Sequence, residues 1–498
     1  MTSQQHVVVI GGGLAGLRLA QRLAEASPAG YRVTVLGEES HAPYNRVLLA
    51  EVLAGRYAPE VIALPPAGPA LRRGVRAVRI DRAERRVHCD DGSVEPYDTL
   101  VLATGSNPVL PPLRGLFRPD GRELPDGVHP FRTMDDCLAL AGAVRPGLRA
   151  VVVGGGLLGV SAARALAARG AQVVLTQQGE RLMERQLDAE SSELLHTHLA
   201  ALGVEIHTQC RARGLTTTPR EQDGPNPAHA GARPGTDAPG RVTGVELADG
   251  YRLDADLVVL ACGVRPRTGL AQAAGLDVHR GILVDDELRT SDPRIHAIGD
   301  CAEHAGQVYG LAGPALEQAE ALAGILTGAA PGGTGGTGTA TGTGLGGSGA
   351  AGPGGTTGTG LGGGADTGTG TGTGGGADTG IGVGGGGRAT PAAPGTPEAP
   401  APRPYTGTRA LTRLTLPSGL DLAAFGETTP RPGDDVVRLT DATRRTYRKV
   451  VVRGDRLVGG VLLGELSAVG TLARTWEGDE ALDPTHQLIH LLTDDGGS

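Results

Sequence analysis

Two glycine-rich turns, each preceded by a valine-rich run and followed by apolar residues at helical spacing, constrain this chain most. The first turn holds Gly11, Gly13 and Gly16 after the run at residues 6–10. A short Val-rich run of this kind predicts a buried parallel strand. Glycines between such a strand and a helix let the backbone approach a diphosphate, and the helix N-terminus supplies N–H donors. The turn therefore predicts a nucleotide site.

A second predicted strand, at residues 32–37, strengthens this interpretation. It ends at Glu38, 22 residues after Gly16, where a carboxylate accepts hydrogen bonds from the hydroxyls of an adenosine ribose. Leu14 and Ala15 complete the turn. A glycine pattern alone is a weak signal. Strand, turn, helix, second strand and acid in register predict a dinucleotide-binding fold.

The whole pattern then recurs. Residues 150–153 form another Val-rich run, and a helical stretch at 160–170 leads to a strand at 171–176. The second turn consists of Gly154, Gly156, Leu157, Leu158 and Gly159. Two such folds in one chain hold two dinucleotides, and the economical pairing is a tightly bound flavin with an exchangeable nicotinamide.

The second copy lacks an acid at the end of its second strand. Thr176, Gln177 and Gln178 stand there instead, and Arg181 follows closely. A neutral strand end does not repel a 2′-phosphate, which favours NADPH slightly over NADH. The alternative is that the amides tolerate either coenzyme.

Further along the chain, additional predicted strands belong to each of the two nucleotide-binding folds. One predicted strand ends in the small-residue turn Ala103, Thr104 and Gly105, and its counterpart in the second half ends at Gly263. A further strand ends at Asp300, where a carboxylate is placed to accept a hydrogen bond from a flavin ribityl hydroxyl. The segment around Gly313 begins a helix, whose N–H end would stabilise negative charge on a flavin.

Composition excludes several other classes. The net charge is -8, with one lysine among 46 basic residues, which gives no indication of nucleic-acid binding. The five cysteines form no CxxC pair, so neither a redox disulfide nor a metal or iron–sulfur site is predicted. No run of 18 apolar residues and no charged leader occur, so we expect a cytoplasmic protein with no membrane segment. His196 and His198 are expected on a helix surface.

With its two glycine turns, the turn at residues 103–105 and the Gly299-Asp300 pair, the sequence resembles the two-dinucleotide flavoprotein reductases. Within them it is similar to the flavoprotein portion of assimilatory NAD(P)H nitrite reductase large subunits and of nitrate reductase electron-transfer subunits. The narrower resemblance is carried by YNRVLLAEVLAG at residues 44–55, LMERQLD at 182–188 and GQVYGL at 306–311. It covers about residues 5–327 and resumes weakly at Tyr405.

The resemblance implies which residues bind each cofactor. Glu38, Arg46, Thr104, Asp300 and the helix start at 311–317 would hold FAD, with the first glycine turn. The second turn, Arg181 and Gly263 would hold NAD(P)H. Arg46 also has a physical reason, because a guanidinium binds diphosphate oxygens bidentately. Hydride transfer depends on positioning, so no catalytic acid or base is expected.

The predicted fold class is α/β, with two Rossmann-like domains and a small α+β C-terminal domain. Residues 1–115 with 280–327 are assigned to FAD, residues 116–279 to NAD(P), and residues 405–498 to the C-terminal domain. The resemblance implies that this domain packs on the flavin domain and helps to form a homodimer; the preferred interpretation is a satellite domain with no direct chemistry. Residues 328–404, nearly all Gly, Thr, Ala and Pro, are predicted to be a disordered linker. The Pro/Gly-rich stretch at 214–240 is predicted to be a surface insertion.

Two positions depart from the family pattern. Ser161 stands where the broader family has a glutamate, and Glu51 stands where ferredoxin and rubredoxin reductases have a lysine. We therefore expect the lysine–glutamate contact beside the flavin to be absent as such.

Three hypotheses follow for the electrons. The acceptor is a separate iron–sulfur, siroheme or molybdenum protein of nitrite or nitrate assimilation, or it is a ferredoxin or rubredoxin. The third hypothesis is a redox-sensing flavoprotein without turnover. Because the sequence lacks the clustered cysteines of siroheme and iron–sulfur modules, we expect that it does not reduce nitrite itself.

Overall fold

The computed structural model describes residues 4–27, 30–65, 70–117, 123–218, 240–328, 404–415, 420–441, 443–482 and 488–492. The predicted linker, apart from its two end residues, and residues 219–239 of the predicted insertion lie outside these ranges.

The first stretch of the chain, up to residue 108, is built mainly of strands. They are β1 (Gln5–Ile10), β2 (Tyr31–Gly37), β3 (Ala70–Arg73), β4 (Ala77–Asp81), β5 (Arg86–Cys89), β6 (Val94–Pro96), β7 (Thr99–Leu102) and β8 (Ser106–Pro108). Its helices are α1 (Leu14–Ala26) and α2 (Leu49–Leu53), with short 3-10 turns at Arg46–Leu48 and Pro59–Ile62.

The second stretch contains strands β9 (Val128–Pro130), β10 (Arg149–Val153), β11 (Gln172–Thr176), β12 (Val204–His207), β13 (Ala212–Thr218), β14 (Arg241–Leu247), β15 (Arg252–Asp254), β16 (Leu257–Leu260) and β17 (Val264–Pro266). Its helices are α3 (Met134–Ala143), α4 (Leu157–Ala168), α5 (Ala189–Ala201) and α6 (Gly269–Ala273).

The remaining strands are β18 (Ile282–Val284), β19 (Ile295–Ala297), β20 (Ala302–His304), β21 (Leu411–Leu414), β22 (Asp421–Gly426), β23 (Asp435–Asp441), β24 (Thr446–Arg453) and β25 (Arg456–Gly464). The remaining helices are α7 (Ala312–Thr327) and α8 (Val469–Gly478), with 3-10 turns at Gly299–Cys301 and Leu488–Leu491.

The first sheet is parallel, in the order β19-β7-β1-β2-β3. Its central strand β1 is buried on both faces, which explains its run of valines: Val7, Val8 and Val9 are fully buried. Helices α1 and α7 pack together against this sheet through residues such as Leu19 and Leu322. The carboxyl ends of β1, β2, β7 and β19 therefore open on the same edge as the first glycine turn.

The second sheet repeats this arrangement, in the order β12-β11-β10-β16-β9, again parallel. Its glycine turn joins β10 to α4, as the first joins β1 to α1. The prediction of two Rossmann-like folds is confirmed.

The C-terminal stretch forms an antiparallel sheet in the order β21-β22-β25-β24-β23, with α8 against it. Phe425 of β22 and Trp476 of α8 lie with their ring centroids 5.2 Å apart. The predicted small α+β domain is confirmed.

One apolar core joins parts of the chain that are distant in sequence. It contains Leu53 of α2, Leu166 of α4 and Leu463 of β25, all fully buried. Helix α2 lies between β2 and β3 of the first sheet in sequence, yet it contacts α3 and α4 of the second fold. The exact domain boundaries stay predictions.

No helix in the described part of the chain combines the length and the apolar character needed to span a bilayer.

Candidate functional site

In the first glycine turn, two glycines are closely packed against backbone and the third faces open space. Gly11 has φ +128°, and a Cβ added there would lie 2.0 Å from the carbonyl oxygen of Ala103. A Cβ on Gly16 would lie 2.1 Å from the carbonyl oxygen of Gly11. A Cβ on Gly13 would meet nothing within 4 Å. The outer glycines thus allow strand and helix to approach, and the middle one borders open space, which is the arrangement that a diphosphate-binding turn requires.

The second turn has the same geometry. Gly154 has φ +113°, with its added Cβ 2.5 Å from the carbonyl oxygen of Ala261. At Gly159 the added Cβ would lie 1.7 Å from the carbonyl oxygen of Gly154, whereas at Gly156 it would meet nothing within 4 Å. Leu157 begins α4, whose N-cap Gly156 has no side chain to cap it. The N–H groups of the first turn of α4 are therefore directed at the open space.

Arg46 lies in the 3-10 turn that precedes α2 and is held from several sides. Its guanidinium forms an ion pair with Glu39 and donates to the hydroxyl of Tyr44 at 2.8 Å and to the carbonyl of Arg132 at 3.0 Å. Burial raises the pKa of Tyr44 far above its ordinary value. The Tyr44 hydroxyl therefore stays protonated and donates to Glu39 at 2.7 Å. These contacts fix a cation suited to a diphosphate.

Asp300 follows β19 and accepts two hydrogen bonds, from Ser106 Oγ at 2.9 Å and from Arg132 at 2.5 Å. The Nε of Arg132 is buried without a partner in the described part of the chain. A buried unpaired donor beside an acid is a place where a polar cofactor atom fits. Sequence reasoning missed Arg132. The capping box of Thr133 and Asp136 locates the start of α3, but no sequence pattern brings residue 132 to residue 300.

A second missed arginine, Arg267, joins three predicted residues. Its side chain forms an ion pair with Glu38 at the end of β2. Its backbone N–H donates to the carbonyl of Gly105 at 2.9 Å, and its carbonyl accepts from Thr104 Oγ1 at 2.8 Å. Ala15, another predicted residue, lies next to Gly299, since an added Cβ on Gly299 would be 3.2 Å from the Ala15 Cβ.

Two more of the predicted site residues are the glycines at positions 313 and 263. Gly313 lies in the first turn of α7, with nothing within 4 Å of an added Cβ. Gly263 has φ +96°, and its carbonyl accepts from the N–H of Val109 at 2.9 Å.

At the end of β11, the uncharged residue Gln177 contacts the second glycine turn. Gln177 Oε1 accepts from the N–H of Gly155 at 2.8 Å, so the amide supports the glycine turn. Arg181 pairs only loosely with Glu180, at 3.9 Å, and its Nε is buried without a partner within the described residues. A guanidinium with spare donors thus lies close to this turn in sequence.

Ser161 and Glu51, the two residues that depart from the family pattern, lie on the neighbouring helices α4 and α2. Ser161 Oγ donates back to the carbonyl of Leu157 at 2.7 Å within α4. Glu51 of α2 forms an ion pair with Arg164 of α4, and a second one with Arg56 at 2.9 Å. The lysine–glutamate contact is absent, as expected, yet α2 and α4 are joined by an ion pair of reversed polarity.

The surface expectation for His198 is wrong. Its side chain lies on the inner face of α5, where the residue is 5 % exposed and its Nε2 has no partner among the described residues. Burial, together with nearby Arg445 and Arg164, lowers its pKa. Adjacent positions of α5, Leu195 and Leu199, are also buried, so the helix turns this face to the core.

All five cysteines are free. Burial raises the pKa of Cys137 and of Cys262 to about 11, so both stay thiols near neutral pH. Within the described residues, no group of His, Cys, Asp and Glu side chains is arranged to hold a metal.

Comparison with protein families gives two matches. Residues 5–319 match the pyridine nucleotide-disulphide oxidoreductase family. Residues 412–477 match the C-terminal domain of rubredoxin NAD+ reductase.

Among curated proteins, the chain is 35% identical over 334 residues to the assimilatory nitrate reductase electron transfer subunit of Bacillus subtilis, covering 65% of this chain and 39% of that protein. It is 28% identical over 470 residues to the nitrite reductase [NAD(P)H] of the same organism, covering 93% and 46%. It is 32% identical over 346 residues to putidaredoxin reductase of Pseudomonas putida, covering 66% and 76%. The chain thus spans less than half the length of these nitrite and nitrate reductase relatives.

Among solved structures, putidaredoxin reductase in its covalent complex with putidaredoxin has the same fold. The TM-score is 0.71 at 22% identity, and the match covers 99% of this chain and 97% of that one. The ferredoxin reductase of the CYP199A2 system from Rhodopseudomonas palustris matches with a TM-score of 0.69 at 24% identity, covering 97% and 96%.

Proposed function

Because the chain belongs to the pyridine nucleotide-disulphide oxidoreductase family, whose members are flavoenzymes that use FAD and NAD(P)H, we propose that it passes electrons from NAD(P)H to a separate protein of nitrite or nitrate assimilation. When bound, FAD accepts a hydride from NAD(P)H and releases the electrons one or two at a time. The observation that carries the proposal is the pair of glycine turns, each with one open position at a helix N-terminus.

FAD is assigned to the first fold. The residues proposed to hold it are Gly11, Gly13, Leu14, Ala15, Gly16, Glu38, Arg46, Ala103, Thr104, Gly105, Asp300 and Gly313, with Arg132 added from the structure. The support is electrostatic, since Arg46 and Arg132 bring two cations to the edge where β1 and β19 end. Each is held in place by a carboxylate, Glu39 or Asp300, and Arg132 Nε, which has no partner among the described residues, would be a donor for a diphosphate oxygen there.

NAD(P)H is assigned to the second fold. The residues proposed to hold it are Gly154, Gly156, Leu157, Leu158, Gly159, Arg181 and Gly263. Gln177 steadies the turn from the side, and Arg181 supplies donors for a 2′-phosphate. We propose that both coenzymes bind, with NADPH preferred.

The protein's own contribution is to orient the rings and to exclude water. A hydride donor and acceptor react when they lie about 3–3.5 Å apart in alignment, so rigid placement of two helix ends supplies most of the catalysis. No proton has to be moved by a side chain in that step.

Nitrite or nitrate assimilation is favoured by the curated relatives, which include the nitrate reductase electron transfer subunit and the nitrite reductase [NAD(P)H] of Bacillus subtilis. The second candidate, a ferredoxin or rubredoxin reductase, has its own observation in its favour. The C-terminal domain matches that of rubredoxin NAD+ reductase, and putidaredoxin reductase matches over most of its length.

The test compares acceptors directly. Purified, FAD-loaded protein is mixed with NADH or NADPH, first with ferricyanide and then with equal concentrations of a siroheme iron–sulfur protein plus nitrite, a [2Fe–2S] ferredoxin and a rubredoxin. Free FAD at the same concentration is the control. A kcat/KM that is highest for the siroheme protein supports the proposal.

Other results decide against it. A kcat/KM that is highest for ferredoxin or rubredoxin supports the second candidate instead. Flavin-loaded protein with no ferricyanide turnover contradicts both and supports the redox-sensing hypothesis.

A further inference from the structure

The ion pair between Glu51 and Arg164 lies in the interior of the molecule. The side chain of Arg164 is 1% exposed and that of Glu51 is 11% exposed. The Nε and Nη1 of Arg164 are buried without a partner in the described part of the chain, so Nη2 alone connects the guanidinium to Glu51. One carboxylate therefore compensates this buried cation.

A second contact joins the same two helices. Arg169, which ends α4, donates from Nη1 to the carbonyl of Leu53 in α2 at 3.3 Å. Two arginines five residues apart, Arg164 in α4 and Arg169 directly after it, thus donate to two acceptors on α2. Between them lie apolar contacts, since Leu53 and Leu166 share one core.

The two helices belong to different cofactor sites. Helix α2 continues directly from Arg46, which is assigned to FAD. Helix α4 begins at Gly156 and Leu157, which are assigned to NAD(P)H. A tie between α2 and α4 therefore sets the distance between the two proposed cofactor sites.

We infer that Glu51 and Arg164 are positioning residues for hydride transfer, holding the nicotinamide-binding helix at the right distance from the flavin-binding segment. This inference rests on the proposed placement of NAD(P)H at α4, and it does not depend on which protein accepts the electrons. The role inferred for both residues is exerted through the helices that carry them.

If Glu51 only compensated the buried charge of Arg164, a carboxylate elsewhere near Arg164 would replace it. Residues 161 and 164 are three apart on α4, so a carboxylate at position 161 could compensate Arg164 within its own helix. Such a swap would keep the buried charge paired but would remove the link to α2. The two roles can therefore be separated.

The experiment uses the full chain with FAD bound and follows flavin reduction by NADH or NADPH in an anaerobic stopped-flow instrument. The variants are Glu51→Gln and the double variant Glu51→Ser with Ser161→Glu. The matched control is Arg56→Gln, which removes the other partner of Glu51 without touching α4. Rates are normalised to bound FAD, so incomplete loading does not affect them.

We expect Glu51→Gln to lower the limiting rate of flavin reduction by about tenfold or more, because small misplacements of reacting atoms are costly. The apparent Kd for the nucleotide should change less than twofold, as should both constants in the Arg56→Gln control. If Glu51→Gln fails to fold, the double variant replaces it, and we expect it to be stable, yellow and slow.

Two results would overturn the inference. One is a Glu51→Gln protein that is reduced at the native rate. The other is a double variant that recovers the native rate, since that would mean Glu51 only compensates a buried charge. Failure of the native protein itself to be reduced by either nucleotide would instead overturn the proposed function.

Discussion

The ammonium group of Lys449 lies 2.7 Å from the carboxylate of Asp188; Lys449 is buried and Asp188 is partly buried. Lys449 is the single lysine of the chain and lies on β24 of the C-terminal sheet. Asp188 is the N-cap of α5 in the second dinucleotide fold, where it accepts from the N–H of Ser191 at 3.0 Å. Tyr447 also donates to Asp188, at 2.7 Å. One carboxylate thus caps a helix and attaches the C-terminal domain.

This arrangement predicts an acid-dependent loss of stability. Burial alone would raise the pKa of Asp188, but hydrogen bonds from Lys449 and Ser191 outweigh it and lower the pKa to about 2. In the unfolded chain the pKa is about 3.9. The stabilisation is therefore present above about pH 4 and is lost as the pH falls to about 2, by roughly 2–3 kcal/mol in the free energy of unfolding.

Asp188→Asn is the matched variant for this prediction, because asparagine caps helices as well as aspartate does. Urea unfolding of both proteins between pH 2 and pH 6 should show a steeper loss for the native chain. Parallel curves for the two proteins would contradict the assignment.

The open glycine positions predict two substitutions with separate effects. Gly156→Ala leaves the packing intact, since its added Cβ meets nothing within 4 Å. It would occupy the space assigned to the NAD(P)H diphosphate and weaken nucleotide binding by about tenfold or more, or roughly 1.4 kcal/mol. Titration of flavin reduction measures this, and FAD content should not change.

Gly13→Ala is the corresponding substitution in the first turn. It should lower FAD affinity and leave NAD(P)H binding at the second turn unchanged. If either alanine impaired both cofactors equally, the assignment of one cofactor to each turn would be wrong. Gly159→Ala should instead prevent folding, since its Cβ would lie 1.7 Å from a carbonyl oxygen.

Arg46→Lys tests the proposed diphosphate contact. Lysine keeps the charge but not the paired donors of the guanidinium, so we expect FAD to bind about tenfold more weakly. FAD release, followed by fluorescence during dialysis, measures the change. Arg79→Lys, on the exposed hairpin strand β4, is the control and should retain its flavin. Equal retention by both variants would count against a role for Arg46.

Arg181→Gln tests coenzyme choice. Removing the cation should lower kcat/KM for NADPH by about tenfold or more and leave NADH within twofold, since a charged hydrogen bond contributes about 1.5 kcal/mol or more. Steady-state ferricyanide reduction with each coenzyme gives the ratio. An unchanged ratio would favour the alternative in which the amides of Gln177 and Gln178 accept either coenzyme.

Much of the fold follows from local sequence. The valine runs of β1 and β10, the glycine turns and the helices after them are consecutive in the chain, so hydrophobic spacing and glycine geometry predict them directly. The same applies to Glu38 and Asp300, which each follow a strand. Parallel strands place these ends on one edge, and that edge is where ligands bind in such sheets.

Contacts between segments that are distant in sequence could not be predicted in this way. Arg132 beside Asp300, Arg267 beside Glu38 and Glu51 beside Arg164 are each separated by more than a hundred positions. No spacing rule links such pairs, because their proximity depends on how the two sheets pack around α2 and α4. The buried side chain of His198 has the same origin, since the face of α5 that meets the core depends on its neighbours.

The order of the amino acids therefore determines that two nucleotide folds form and where their glycine turns lie, because these depend on neighbours within a few residues. Only the folded chain decides which cations face which acids and how the two turns are held apart. Those contacts join residues whose approach depends on the packing of the whole core.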